Sequence, residues 1–184
     1  MQCDVVKSSI QRSSPIIDRA FCIVDLENLA RGSLNVSELS KNIHRIVSTI
    51  LQTFETHMTV VATGPLVLAE YPEVLWDWSG CRFLKGEGVD GADKELAQVI
   101  SSEPAAAASS HILIWSGDGF FAEATASLRS NGCAVSVFGP SGAISGQLRS
   151  VANDVCELPL HLITQRNAPT DNEYLADPCE GAVA

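Results

Sequence analysis

The chain has 184 residues, 46% of them hydrophobic and 18% charged, and a formal net charge of −10 at pH 7. That length suits one domain with a real core, and the composition excludes collagen-like, mucin-like and wholly disordered classes. The acidity argues against broad electrostatic binding to nucleic acid, which depends on Lys and Arg neutralising phosphates, but is compatible with an enzyme whose bound metal reverses the local field.

No apolar run approaches the roughly 18 residues that a membrane-spanning helix needs. The opening Met1-Gln2-Cys3-Asp4 lacks the basic-then-apolar order of a secretory signal. The expectation is a soluble, cytoplasmic protein with no membrane partner. Cys3, Cys22, Cys81, Cys133, Cys156 and Cys179 are scattered without a C-x-x-C pair, which speaks against a disulfide framework or a zinc site.

Residues 1–15 are polar and unpatterned up to Pro15 and read as a flexible arm. Residues 21–24 (Phe-Cys-Ile-Val) form a short buried strand. Val36, Leu39, Ile43, Ile46, Val47, Ile50, Leu51 and Phe54 then recur at helical spacing, with Asn35 and Glu38 as a capping pair. A second strand at 58–62 is stopped by Gly64-Pro65, a helix is expected over 66–75, and a weaker strand over 81–84. A helix over 92–101 leads to a small-residue loop at 104–110, where Pro104 marks a break.

The strongest buried strand is 111–115, His-Ile-Leu-Ile-Trp. A helix over 120–129 ends at Asn131-Gly132, followed by a strand at 134–138, a helix near 144–151 and a last strand near 155–158. Residues 165–184 read as a disordered tail, leaving 16–164 as the folded domain. Strands apolar on both faces and separated by helices predict a three-layer α/β domain around a mainly parallel sheet of about five or six strands.

Ligands of such sheets bind beyond the carboxyl ends of the strands. Three acidic clusters fall there: Asp25-Leu26-Glu27-Asn28, Ser116-Gly117-Asp118, and Glu87 to Asp93 before the middle helix. Each acid alone has an ordinary reading: Asp25 as a turn residue, Asp118 as a helix cap, Asp90 and Asp93 as acids favouring a helix N-terminus. Their coincidence on one edge points further, because converging carboxylates repel unless protonated or neutralised. A hard cation such as Mg²⁺ or Mn²⁺ relieves that repulsion, and hydrolysis of a phosphodiester is its natural use. Asn28 either holds Asp25, binds a phosphate or simply forms the turn, and Ser116 either positions Asp118 or contacts phosphate. His44, His57, His111 and His161 show no ligand spacing.

Residues 21–29, Phe-Cys-Ile-Val-Asp-Leu-Glu-Asn-Leu, resemble the opening strand and D-x-x-N turn of NYN domains, a branch of the PIN-like nucleases. Gly91-Ala92-Asp93-Lys94-Glu95-Leu96 is similar to their G-x-D-x-x-L helix start, and residues 112–118 to their apolar strand ending in S-G-D. Residues 131–139 and 148–158, with Asp154, resemble the closing segments. The resemblance runs from about Ile16 to Leu160 and implies a PIN-like fold and a Mg²⁺- or Mn²⁺-dependent endoribonuclease. It also implies metal ligation by Asp25, Asp93 and Asp118, the expected catalytic residues, with Asn28 as an accessory. Asn28, Ser116 and Lys94 are the expected contacts to the RNA.

One position departs from the pattern. Where the family reads S-G-D-x-D-F, Phe120 stands at the second acid and Phe121 at the aromatic. Glu87, Asp90 and Asp154 are candidate replacements. The alternative is a PIN-like scaffold without catalysis that binds RNA or a protein, and self-association is open too. A phosphoaspartyl receiver fits poorly because no Lys follows the strand at 134–138, and a dinucleotide-binding domain because no G-x-G-x-x-G follows the first strand.

Overall fold

The computed structural model describes residues 19–159 apart from Gly32 and Leu34. The expected arm, tail and outer domain limits, with Cys3 and Cys179, fall outside or at the margins of those residues. Six strands form one sheet in the order β3-β2-β1-β4-β5-β6, and every neighbouring pair is parallel. The strands are β1 Arg19–Asp25, β2 Thr56–Thr63, β3 Arg82–Lys85, β4 His111–Trp115, β5 Ala134–Pro140 and β6 Asp154–Leu158.

The chain starts mid-sheet, works outward to β3, then crosses to the far side of β1 and works outward again. The strand order reverses between β1 and β4, which makes their carboxyl ends the switch point of a doubly wound sheet. This is the three-layer, Rossmann-like α/β architecture expected from the alternating pattern.

Strand periodicity builds the two cores. In β1, Ala20, Cys22 and Val24 point to one face while Phe21 and Ile23 point to the other. The first face is covered by α1 (Leu26–Ala30), α2 (Val36–Leu51) and α4 (Val74–Asp77), through Leu39, Ile43, Val47, Val74 and Trp78. The second is covered by α5 (Gly91–Ser102), α7 (Ala122–Ser130) and α8 (Gly146–Val151), through Leu96, Val99, Leu128 and Leu148. Each fully buried aliphatic side chain contributes about 1.5–3 kcal/mol. Trp115 and Phe138 stack across β4 and β5 with centroids 4.5 Å apart. Buried Trp78 donates its indole N–H to Ser40 Oγ at 3.0 Å.

Three local expectations change. The single helix over 66–75 is two short ones, α3 (Pro65–Glu70) and α4, separated at Tyr71–Glu73. Pro72 lacks an amide proton and disfavours helical backbone in the residue before it; Tyr71 accordingly sits at φ −131°, ψ 65°. Within the expected loop at 104–110, Pro104–Ala107 forms one helical turn, α6, because proline is well tolerated in a first turn. The short helix α1, directly after β1, was not expected at all. Asn35 does cap α2, its Oδ1 accepting the Glu38 N–H at 3.0 Å.

Among the described residues, Cys22, Cys81 and Cys133 are free thiols, and no helix is long and apolar enough to cross a membrane.

Candidate active site at the carboxyl edge

Asp25 ends β1 in phase with Phe21 and Ile23, so strand alternation carries it toward the α5 side. Only 1% of it is exposed. Its Oδ1 accepts the Asn28 N–H at 3.1 Å, capping α1, and its Oδ2 accepts the Ser116 hydroxyl at 2.8 Å. Asp25 is thus a helix cap and the floor of the site together.

The turn after β4 is organised by the same atoms. Ser116 Oγ also accepts the Asp118 N–H at 3.1 Å. Asn28 Oδ1 accepts the Gly117 N–H at 2.9 Å. Asp118 Oδ1 accepts the Phe120 N–H at 2.9 Å, starting a 3₁₀ turn, Gly119–Phe121, that leads into α7. Gly117 allows a close approach: a Cβ there would run into the Ala143 carbonyl, and Gly117 O accepts the Ser145 N–H at 2.8 Å.

The third acid arrives on α5. Gly86 packs so tightly on the backbone of Gly91 and Ala92 that a Cβ would overlap them, and this contact sets the entry of α5. Asp90 occupies the N-cap position of α5, its carbonyl accepting the Lys94 N–H at 3.0 Å, but at a left-handed φ of 54° and without a side-chain cap bond. Asp93, in the first turn, hydrogen-bonds to the Asp25 carboxylate and feels the charge of Asp118.

Burial, then the Asp25 charge and the hydrogen bond to it, push the Asp93 carboxyl up to about 7, with Asp118 and Asp90 adding to the effect. Burial also raises Asp25, opposed by its bonds from Asn28 and Ser116. Both carboxyls are therefore raised, and the pair holds a proton more readily than free carboxylic acids do.

Asp25, Asp93, Asp118, Asn28 and Ser116 therefore meet at the switch point. Lys94 does not join them, since its Nζ donates to the Val89 carbonyl at 2.8 Å. Asp154 starts β6 and lies at the opposite edge of a parallel sheet, so it cannot replace the acid missing at Phe120. Glu87 is exposed in the loop before α5.

Glu27, named in the first acidic cluster, puts its carboxylate in the space where Gly64 lacks a Cβ. One neighbour was missed from sequence: the Thr63 hydroxyl at the end of β2 is buried without a hydrogen-bond partner among the described residues. Only its placement at a strand end could have signalled it. A pocket lined by Arg129, Cys133, Ser150 and Asn153 opens at the start of β5, on the opposite edge.

The donor set is chemically suited to a hard divalent cation: three carboxylates near one another, with the Asp93 carboxyl raised by burial first and by Asp25 and Asp118 after it. Among the described residues, however, no three His, Cys, Asp or Glu side chains already stand as a metal cage. Ligation would require the Asp93 proton to leave.

Fold and site together define a Rossmann-like, doubly wound α/β domain with carboxylates gathered at its switch point. No protein-family model matches the chain, and no curated protein matches it either. Among solved structures it is similar to a Vibrio parahaemolyticus protein of unknown function, at 15% identity and a TM-score of 0.58 over 80% of this chain and 96% of that one. That likeness concerns the fold alone. A second similarity, to a Leishmania major chain provisionally described as a MAR1 ribonuclease, has 10% identity and a TM-score of 0.42 over 85% of this chain and 86% of that one. So low a score carries no functional argument.

Proposed function

We propose that the chain is a Mg²⁺- or Mn²⁺-dependent endoribonuclease whose metal-binding and catalytic residues are Asp25, Asp93 and Asp118. The observation that carries this reading is the convergence on one carboxyl edge of Asp25 at the end of β1, Asp118 in the turn after β4 and Asp93 in the first turn of α5, with Ser116 Oγ bonded to both the Asp25 carboxylate and the Asp118 N–H. Such a cluster is costly for stability and has no packing purpose, which is the usual mark of a functional site.

The Ser116 hydroxyl and the Asn28 N–H fix both oxygens of Asp25. Ser116 and Phe120 orient Asp118 through backbone bonds. Burial and the neighbouring Asp25 push the Asp93 carboxyl up to about 7, so Asp93 would give up its proton on ligating a cation. A bound divalent cation would supply charge neutralisation and Lewis acidity toward a phosphoryl oxygen. The test is RNA cleavage with and without Mn²⁺: the parent cuts only with the metal, and Asp25→Asn and Asp118→Asn abolish cutting. Equal cutting by both variants would remove the assignment.

A second reading is a PIN-like scaffold that binds RNA or a protein without cutting. It is favoured by Phe120 at the position of the second acid and by the absence of a ready cage among the described residues. A melting temperature indifferent to Mn²⁺ would support it, since a ligand of the folded state raises that temperature.

A further inference from the structure

The geometry points to Phe120 as a base-stacking platform that makes the substrate an unpaired nucleotide of single-stranded RNA; this rests on the nuclease reading. Phe120 is 44% exposed, while the next residue, Phe121, is fully buried. The two rings meet edge to face, centroids 5.7 Å apart at 81°. The Phe120 N–H donates to Asp118 Oδ1 at 2.9 Å, and the 3₁₀ turn carrying both rings packs against α5.

An isolated exposed hydrophobe is ordinary. This one is held by a buried ring beneath it and bonded through its backbone to an acid of the site, so it is fixed in place and costs little to order on binding. The charge of the chain decides what it would bind. At −10 overall, the protein gains little from neutralising phosphates along a backbone. Beyond what a bound cation supplies, affinity for RNA then rests on uncharged contacts, and stacking a base on an aromatic face is a strong one. A duplex keeps its base faces covered, whereas an unpaired base is free to stack.

The test is steady-state cleavage by the full chain in Mn²⁺, comparing single-stranded and duplex RNA with Phe120→Leu and Phe120→Trp. The side chain is half exposed, so both variants should melt like the parent. Phe120→Leu raises KM for the single strand roughly ten- to hundred-fold with kcat nearly unchanged, from the lost stacking. Phe120→Trp stays near the parent, and the duplex is a poor substrate throughout. In an Asp25→Asn background, the fluorescence of 2-aminopurine placed in the single strand is quenched on binding, and Phe120→Leu relieves the quenching. If Phe120→Leu keeps the parent KM while Asp25→Asn abolishes cleavage, the stacking role is overturned and the nuclease reading stands. If the parent neither binds nor cuts RNA, both fall.

Discussion

Asn28 Oδ1 accepts the Gly117 N–H at 2.9 Å, latching the turn after β1 to the turn after β4 across 89 residues of sequence. The same residue's N–H binds Asp25 Oδ1, so one asparagine aligns acids that reach the site from two strands.

Asn28→Ala should therefore act on stability and on the site together. It leaves a partly buried N–H unsatisfied, which costs about 1–2 kcal/mol, readable as a lower urea midpoint. It should also shrink the rise in melting temperature on adding Mn²⁺. A destabilised variant with the full metal response would show that the latch does not position the acids.

Asp93 predicts an unusual pH dependence in the presence of a chelator. Its folded pKa is raised from 3.8 to about 7, so between these values the folded protein keeps a proton that the unfolded chain has lost. Stability from this group thus falls as pH rises through that window and levels off above it. Asp93→Asn removes the slope. It should match the parent near pH 4 and exceed it at pH 8 by roughly 1–2 kcal/mol, a figure discounted because the group is only half buried. A variant less stable than the parent at pH 8 would contradict the assigned protonation.

Gly117→Ala probes the close approach at the β4 turn. The new methyl meets the Ala143 carbonyl, a backbone atom that cannot swing aside. The cost should be about 1–3 kcal/mol. Gly146→Ala, where a Cβ has open space, serves as the control. Equal melting temperatures for the two would argue that the turn yields easily.

Much of this architecture was legible in the sequence because it depends on local chemistry. β1 and β4 are apolar on both faces, so their residues announce buried parallel strands before any partner is known. Asp25 and Asp118 could be assigned to one edge because parallel strands share a carboxyl end. The missing parts depend on long-range or very short-range structure. Nothing in the spacing of Ser116 and Asp25, 91 residues apart, announces their hydrogen bond. The five residues of α1 are too few to show helical periodicity. Asp90 looked like a cap, yet the packing of Gly86 on Gly91 accompanies a left-handed backbone that leaves its side chain without a capping bond.

The claim beneath all of these is that Asp25, Asp93 and Asp118 surround one divalent cation. Anomalous scattering from crystals soaked in Mn²⁺ at neutral pH tests it directly. A peak is expected within ligand distance of all three carboxylates in the parent, and its loss in Asp25→Asn. Full soaking with no peak there, or a peak that survives unchanged in Asp25→Asn, would contradict it.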